Sequence, residues 1–181
     1  MLRQAALACG RRSCQTVEPA LPAAPLHVSL REITADTVRS ICGLTVATSQ
    51  TSFVAPNAVS LAQALFAPEA WYRAVYLAEQ PVGFVMLADE SLRQPAPLKP
   101  QVSLWRFMID SRHQRLGIGT AAMAQVIEHV QSKKVFSSLW CSYVPGDGCP
   151  EQFYLSLGFR HTGQVEEGEV VLELQLGQGV V

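Results

Sequence analysis

The stretch Arg112-His-Gln-Arg-Leu-Gly-Ile-Gly-Thr120 decides the fold of this chain. It lies between an apolar and aromatic segment, Val102–Ile109, which predicts a buried strand, and a segment with the apolar period of a helix, Gly117–Gln131. Helix N-termini leave backbone N–H groups unpaired and carry partial positive charge. Gly117 and Gly119 let that backbone approach a bulky anion closely. The stretch therefore favours a pyrophosphate site.

Two other interpretations of this loop stay open on the residues alone. Arg112 and Arg115 can be solvated cations of an ordinary glycine-containing connection. Gly117-x-Gly119-x-x-Ala122 also satisfies the dinucleotide fingerprint. That fingerprint follows its strand directly in the first unit of the fold, whereas five residues, Asp110–Gln114, intervene here and several strands come earlier. A nicotinamide nucleotide is therefore the weaker alternative.

The rest of the chain reads as strands and helices around this loop. Strands are predicted at Val28–Ile33, Tyr72–Ala78, Val82–Ala88, Val135–Val144, Phe159–Val165 and Val170–Leu176. Helices are predicted from the N-cap candidates at 34–37 toward Cys42, at Asn57–Phe66 and around Gln152–Leu157. This order predicts a mixed α/β sheet with helices on its faces. The unit at 102–144 should be a right-handed parallel crossover.

Composition restricts the class of protein. With 181 residues, 49% hydrophobic and 16% charged, the chain suits one domain, expected at 27–181. A net charge of −1 argues against a broad basic surface for nucleic acid, and no apolar run reaches the ~20 residues that cross a bilayer. The five cysteines form no C-x-x-C pair, so neither a disulfide framework nor a metal site is expected. A cytoplasmic protein is predicted.

Residues 1–26 differ from the rest of the chain. They are rich in Ala, Arg and Pro, with no acidic residue before Glu18. An organelle transit peptide is one interpretation. A disordered extension is the favoured one, because Pro19, Pro22 and Pro25 interrupt any long amphipathic helix.

A second motif, Phe153-Tyr154-Leu-Ser-Leu-Gly158-Phe159, follows the predicted strand at 135–144. With Gln114, Gly117 and Gly119, which match the pattern Gln/Arg-x-x-Gly-x-Gly/Ala, the chain resembles the GNAT superfamily of N-acetyltransferases over roughly residues 28–176. The resemblance implies a mostly antiparallel sheet of six to seven strands with two splayed parallel strands. It also implies acetyl-CoA as co-substrate, with no metal, and a homodimer by analogy.

The resemblance also implies site residues. The pantetheine arm would pair with the backbone near Phe107 and Ile109, and the N–H of Met108 or Ile109 would polarise the thioester carbonyl. Tyr154 would protonate the departing thiolate, although core packing is an alternative for this ring. The full set expected at acetyl-CoA is Phe107, Met108, Ile109, Gln114, Arg115, Leu116, Gly117, Ile118, Gly119 and Thr120.

Two positions depart from the family pattern. The loop Pro145-Gly-Asp-Gly-Cys-Pro150 lacks an Asn that many relatives carry there, and Ser156 replaces a frequent Lys. Both departures weaken the expected cofactor contacts in that segment.

The acceptor is predicted to be a small primary amine. Three segments resemble the bacterial spermine/spermidine (diamine) acetyltransferases: Phe53–Gln63, Pro81–Leu87 and Trp105–Asp110. A polyamine needs carboxylates along its groove, so Asp89, Glu90 and Trp105 are its expected contacts. The hairpin glutamates Glu166, Glu167 and Glu169 are further candidates. The alternatives are another amine (an amino acid, an antibiotic or a protein) and a silent acyl-CoA-binding sensor.

Overall fold

The structure is a computed structural model, and it describes residues 27–177. Its strands are β1 (Val28–Arg31), β2 (Ala70–Leu77), β3 (Gln80–Asp89), β4 (Val102–Ile109), β5 (Ser138–Tyr143), β6 (Arg160–Glu166) and β7 (Glu169–Gln175), and its α-helices are α1 (Val38–Cys42), α2 (Asn57–Ala64), α3 (Ile118–Ser132) and α4 (Glu151–Ser156). Short 3-10 turns occupy Thr48–Gln50, Glu90–Leu92 and Ser111–His113. The strands form one sheet in the order β1-β2-β3-β4-β5-β7-β6, and only β4 and β5 run parallel.

Helices cover both faces of the sheet, and β3 shows how the sequence achieves this. Successive side chains of a strand point to opposite faces. Phe84 and Met86 pack in a core cluster with Ile41 of α1 and Leu61 of α2. Val85 and Leu87 pack with residues of α3 and α4 instead. Because both faces are buried, β3 is an almost continuous apolar run rather than an alternating one.

The parallel pair separates soon after it forms. The pairing of β4 with β5 consists of Ser103 with Trp140 and Leu104 with Cys141. Beyond these positions β4 continues to Ile109 and β5 to Tyr143, but the two strands no longer pair with each other. The separation leaves part of the β4 edge free to bind another extended molecule.

The predicted GNAT fold, with its seven-stranded mixed sheet and splayed parallel pair, is confirmed. Most element ends differ from the predicted ones by one or two residues, and the start of the fifth strand differs by three. The fifth strand begins at Ser138 rather than Val135, since Lys134 has a positive φ of 57° and Val135 is 52% exposed. The second helix ends at Ala64, and Leu65 and Phe66 are 80% and 87% exposed.

Two further predictions concern the N-terminal extension and the presence of a membrane-spanning helix. The predicted extension at 1–26 lies outside the described residues. Within 27–177, no helix combines the length and apolarity that a membrane span requires.

Candidate active site

A cleft of about 1420 Å³ opens where β4 and β5 separate. Its walls come from the end of β4, the start of α3, the segment after α1, α4 and the β6–β7 hairpin. Side chains or backbone of the following predicted site residues line it: Trp105, Phe107, Met108, Ile109, Gln114, Arg115, Gly117, Gly119, Thr120 and Tyr154. The structure thus brings the two sequence motifs to one cavity.

The open edge of β4 presents the backbone of Phe107 and Ile109. The Asp110 N–H donates to Val82 O at 2.8 Å, so the Asp110 amide faces β3. Backbone direction alternates along a strand, which places the Met108 N–H on the β3 side and the Ile109 N–H on the open side. The Met108 N–H therefore belongs to the sheet, and of the two predicted donors the Ile109 N–H is the one on the open side of β4. Ile109 is the residue whose N–H faces the cleft.

The loop before α3 has the geometry of an anion site. Gly117 adopts a left-handed φ of 80° directly before the helix, a conformation that glycine reaches without steric cost. The first intrahelical bond joins the Ala121 N–H to Gly117 O at 3.1 Å. The N–H groups that precede Ala121 have no intrahelical acceptor, so they are available to phosphate oxygens. A Cβ added to Gly119 would lie 3.4 Å from the Phe153 ring.

Three residues of the predicted cofactor set have side chains that are directed away from the cleft or bonded elsewhere, while their backbone groups stay predicted contacts of the cofactor. The Leu116 side chain is 54% exposed, Ile118 is 1% exposed in the core, and neither lines the cleft. The Gln114 amide donates to Ile109 O at 2.9 Å and to Gln50 Oε1 at 2.8 Å. Gln114 therefore fixes the loop to the end of β4 and to the segment after α1, rather than offering its NH₂ group to a phosphate.

Asp110, which the sequence analysis did not select, also holds this loop in place. Its carboxylate is 1% exposed and accepts hydrogen bonds from Thr45 N at 3.1 Å, Arg112 N at 3.1 Å and Arg112 Nε at 2.7 Å. The Arg112 guanidinium holds the pKa of the Asp110 carboxyl well below its usual range. An ionised Asp110 thus joins the anion loop to the segment at 44–56, which forms one wall of the cleft.

Tyr154 lies on α4 at the opposite wall. It is 7% exposed, and its ring packs against Phe153 and Phe159 at centroid distances of 5.5 Å and 5.7 Å. Among residues 27–177, no group forms a hydrogen bond with its hydroxyl. Burial raises the pKa of Tyr154 above its ordinary value, so the phenol stays protonated at neutral pH.

Tyr143, a second tyrosine of the cleft, was also missed. Its hydroxyl donates to Glu151 Oε1 at 2.6 Å, and His161 Nε2 lies 3.2 Å from the same oxygen. Glu151 is the first residue of α4, so this contact fixes the helix that carries Tyr154 to β5. In the sequence, Glu151 is visible only as an acidic residue near the start of a predicted helix, and this position does not identify Tyr143 as its partner.

The predicted acceptor contacts divide into two groups. Asp89 and Glu90 do not line the cleft, and both carboxylates are paired with cations elsewhere. Asp89 is 1% exposed and forms an ion pair with Lys133, and Glu90 pairs with Arg93 at 3.0 Å. Trp105 does line the cleft, together with the hairpin glutamates Glu166, Glu167 and Glu169.

The family of this chain follows from a comparison with family models. The model of the Acetyltransferase (GNAT) family matches residues 44–159, which include β4, the anion loop and α4. The chain belongs to the acetyltransferase (GNAT) family. It is an acetyltransferase whose family segment contains the walls of the cleft except the β6–β7 hairpin. No curated protein sequence matches the chain.

Solved structures of this GNAT fold are similar over most of their length. The ribosomal-protein-S18-alanine N-acetyltransferase of Escherichia coli has a TM-score of 0.60 at 14% identity, over 85% of this chain and 99% of that chain. A Bacillus subtilis acetyltransferase in complex with CoA has a TM-score of 0.56 at 17% identity, over 84% and 99%. A KacTA–DNA complex has a TM-score of 0.61 at 19% identity, over 82% and 93%. At such identities the likeness establishes the fold alone.

The comparisons also bear on other partners. Since one protein of this fold is found in a complex with DNA, the fold does not exclude nucleic acid, and the argument from net charge stays a prediction. Within residues 27–177, no group of three or more His, Cys, Asp or Glu side chains is arranged to hold a metal ion.

Proposed function

We propose that this GNAT enzyme transfers the acetyl group of acetyl-CoA to a primary amine. The observation that carries the proposal is a continuous path of suitable groups through the cleft. The path begins at the unpaired helix N-terminus at Gly117, follows the open β4 backbone at Phe107 and Ile109, and ends beside Tyr154. It offers donors for phosphates, a strand edge for the pantetheine amides and an acid for the sulfur.

In this mechanism, bound acetyl-CoA supplies an activated acetyl group as a thioester. The Ile109 N–H donates to the carbonyl oxygen, where negative charge develops as the amine nitrogen attacks the carbonyl carbon. The C–N bond forms, the C–S bond breaks, and Tyr154 gives its proton to the sulfur. The attacking nitrogen loses one proton to solvent, and the Tyr154 phenolate takes one back from solvent, so that the products are the neutral amide and the CoA thiol. Burial raises the pKa of Tyr154, so the phenol is in the protonated form that this step requires.

The amine must reach the cleft without its proton, since an alkylammonium group resembles that of Lys, with a pKa of ~10.4. The resemblance to diamine acetyltransferases makes a polyamine the first acceptor to test. Glu166, Glu167 and Glu169 support it, because carboxylates in the cleft attract a polycation. A cytoplasmic reaction is part of the same proposal.

Release of the CoA thiol tests the proposal. Acetyl-CoA is offered with spermidine, spermine, lysine and an aminoglycoside in parallel reactions. The proposal predicts amine-dependent release with at least one acceptor. Binding of acetyl-CoA without release from any amine would favour a silent acyl-CoA sensor.

A further inference from the structure

A bulge in β4 directs two neighbouring side chains that line the cleft, Trp105 and Arg106, to the same face of the sheet. The register pairs Met86 with Arg106 and Leu87 with Leu104, so Trp105 is an extra residue without a partner in β3. Met86 faces α1 and α2, and Trp105 packs against the same cluster. Directly paired residues share a face, so Trp105 and Arg106 both point to the α1/α2 side.

Arg106 is a partly buried cation with incomplete hydrogen bonding. A guanidinium carries five N–H donors. Nη1 donates to Trp105 O at 2.8 Å and Nη2 to Gln63 Oε1 at 3.4 Å, whereas Nε is buried and has no partner among the described residues. Within residues 27–177, no carboxylate lies within 4.0 Å of Arg106.

Other partly buried arginines of the sheet are paired. Arg31 lies 2.8 Å from Glu79, and Arg73 lies 3.4 Å from Glu32 while its Nη1 donates to the carbonyl of its own neighbour, Tyr72. Arg106 makes the same contact with a neighbouring carbonyl but lacks the carboxylate. Burial lowers its pKa, and the more distant Glu169 acts in the opposite direction. A half-buried charge without a partner is costly unless a ligand completes it.

We infer that Arg106 binds a carboxylate of the acceptor, so that the acceptor is an amine that also carries a carboxylate, such as an amino acid. The inference rests on the proposed acetyl transfer, and it replaces the polyamine as the predicted acceptor by a zwitterionic amine. A guanidinium recognises carboxylates through paired N–H donors and repels a polycation.

The other charges of the cleft agree with this substrate class. Glu169 on β7 accepts a hydrogen bond from the Ser142 hydroxyl, lines the same cleft and can attract the ammonium group of the incoming acceptor. The phosphates of acetyl-CoA are not the expected partner of Arg106. They are assigned to the N-terminus of α3, which packs on the opposite face of the sheet.

The test compares acids with their amides as acceptors. Initial rates of thiol release are measured with glycine, alanine, lysine and glutamate, each against its α-carboxamide, and with spermidine. We expect an accepted acid to exceed its amide in kcat/KM by roughly 10- to 100-fold, the size of a hydrogen bond to a charged group. Arg106→Gln should abolish this preference and leave the KM for acetyl-CoA unchanged. The matched control Arg73→Gln, outside the cleft, should retain it.

Three results would overturn the inference while acetyl transfer stands: turnover of spermidine alone, no preference for the acid, or an acid-to-amide ratio that Arg106→Gln leaves unchanged. No release with any amine would count against the proposed function, and binding then tests Arg106 by itself. The full chain with ¹⁵N-labelled arginine is titrated with the N-acetyl derivatives of the same acids and amides. A shift of the Arg106 Nε resonance with acids only supports the subsite, and no shift with any derivative overturns it.

Discussion

Tyr154 is buried, and no described residue forms a hydrogen bond with its hydroxyl. We expect Tyr154→Phe to lower kcat by roughly 10²- to 10⁴-fold, the usual contribution of general acid catalysis, and to change acetyl-CoA binding by no more than about twofold. The phenyl ring keeps the packing against Phe153 and Phe159. Steady-state kinetics and calorimetric binding measure the two effects. Tyr76→Phe, at a buried tyrosine of β2 outside the cleft, is the control.

The pH dependence of kcat examines the same residue. A general acid acts below its pKa, and burial raises the pKa of Tyr154 above the ordinary value of 10.0. We therefore expect no loss of kcat on the alkaline side between pH 7 and about pH 10. A loss of kcat centred near pH 8, absent in Tyr154→Phe, would assign Tyr154 a lowered pKa and contradict its role as acid.

Residue roles differ in how far the sequence can predict them. Gly117 and Tyr154 follow from motifs that are local in the chain. The ion pair of Asp89 does not follow from the sequence, because its partner, Lys133, is 44 residues away and only the tertiary fold brings them together. The role of Arg106 does not follow from the sequence either, since the face of the sheet on which its side chain lies depends on a bulge in the pairing of β3 with β4.

At the scale of elements, the loop after β4 depends on a single buried carboxylate. Asp110 joins Thr45 to Arg112 across the cleft wall, and Ser111 N donates to Thr45 O at 2.8 Å beside it. Asp110→Asn removes a charged acceptor from buried donors. We expect a loss of about 2 kcal/mol in the free energy of unfolding at pH 7, measured by urea denaturation.

The loss should depend on pH in a defined direction. The pKa of Asp110 is lowered in the folded state, so its stabilisation is present above the unfolded value of 3.8 and declines as pH falls below it. The difference between Asp110→Asn and the wild type should therefore be smaller at pH 3 than at pH 7. Asp36→Asn, at an exposed position, should change stability little at either pH. An equal or larger difference at pH 3 would refute the account of Asp110.

Elements with strong periodicity were predicted well, and those whose ends depend on contacts were not. α3 agrees with the sequence because its apolar residues follow the helical period, and β4 agrees because it is a short run of apolar and aromatic residues. The assignment of the Met108 amide needed more than periodicity. It required the hydrogen bond that the Asp110 N–H donates to Val82 O, because this contact shows which amides of β4 face β3.

At the scale of the whole molecule, the order of elements determined the fold class. A strand–helix–strand unit surrounded by hairpins leaves few ways to build one sheet, and the parallel pair of β4 and β5 is its consequence. The chemistry of the acceptor did not follow from that order. It depends on side chains of β4 and of the β6–β7 hairpin, which are far apart in the sequence and meet at the cleft.

The central claim, that this cleft binds acetyl-CoA with its pyrophosphate at the start of α3, is tested most directly by calorimetric titration of Gly117→Glu. Gly163→Glu is the matched control, because Gly163 has a similar φ of 82°, close to the 80° of Gly117, and no atom lies within 4 Å of an added Cβ. Both variants place a carboxylate at a left-handed glycine, but only Gly117 borders the cleft. The account predicts that Gly117→Glu loses acetyl-CoA binding while Gly163→Glu binds like the wild type. Unimpaired binding by a folded Gly117→Glu variant would contradict it.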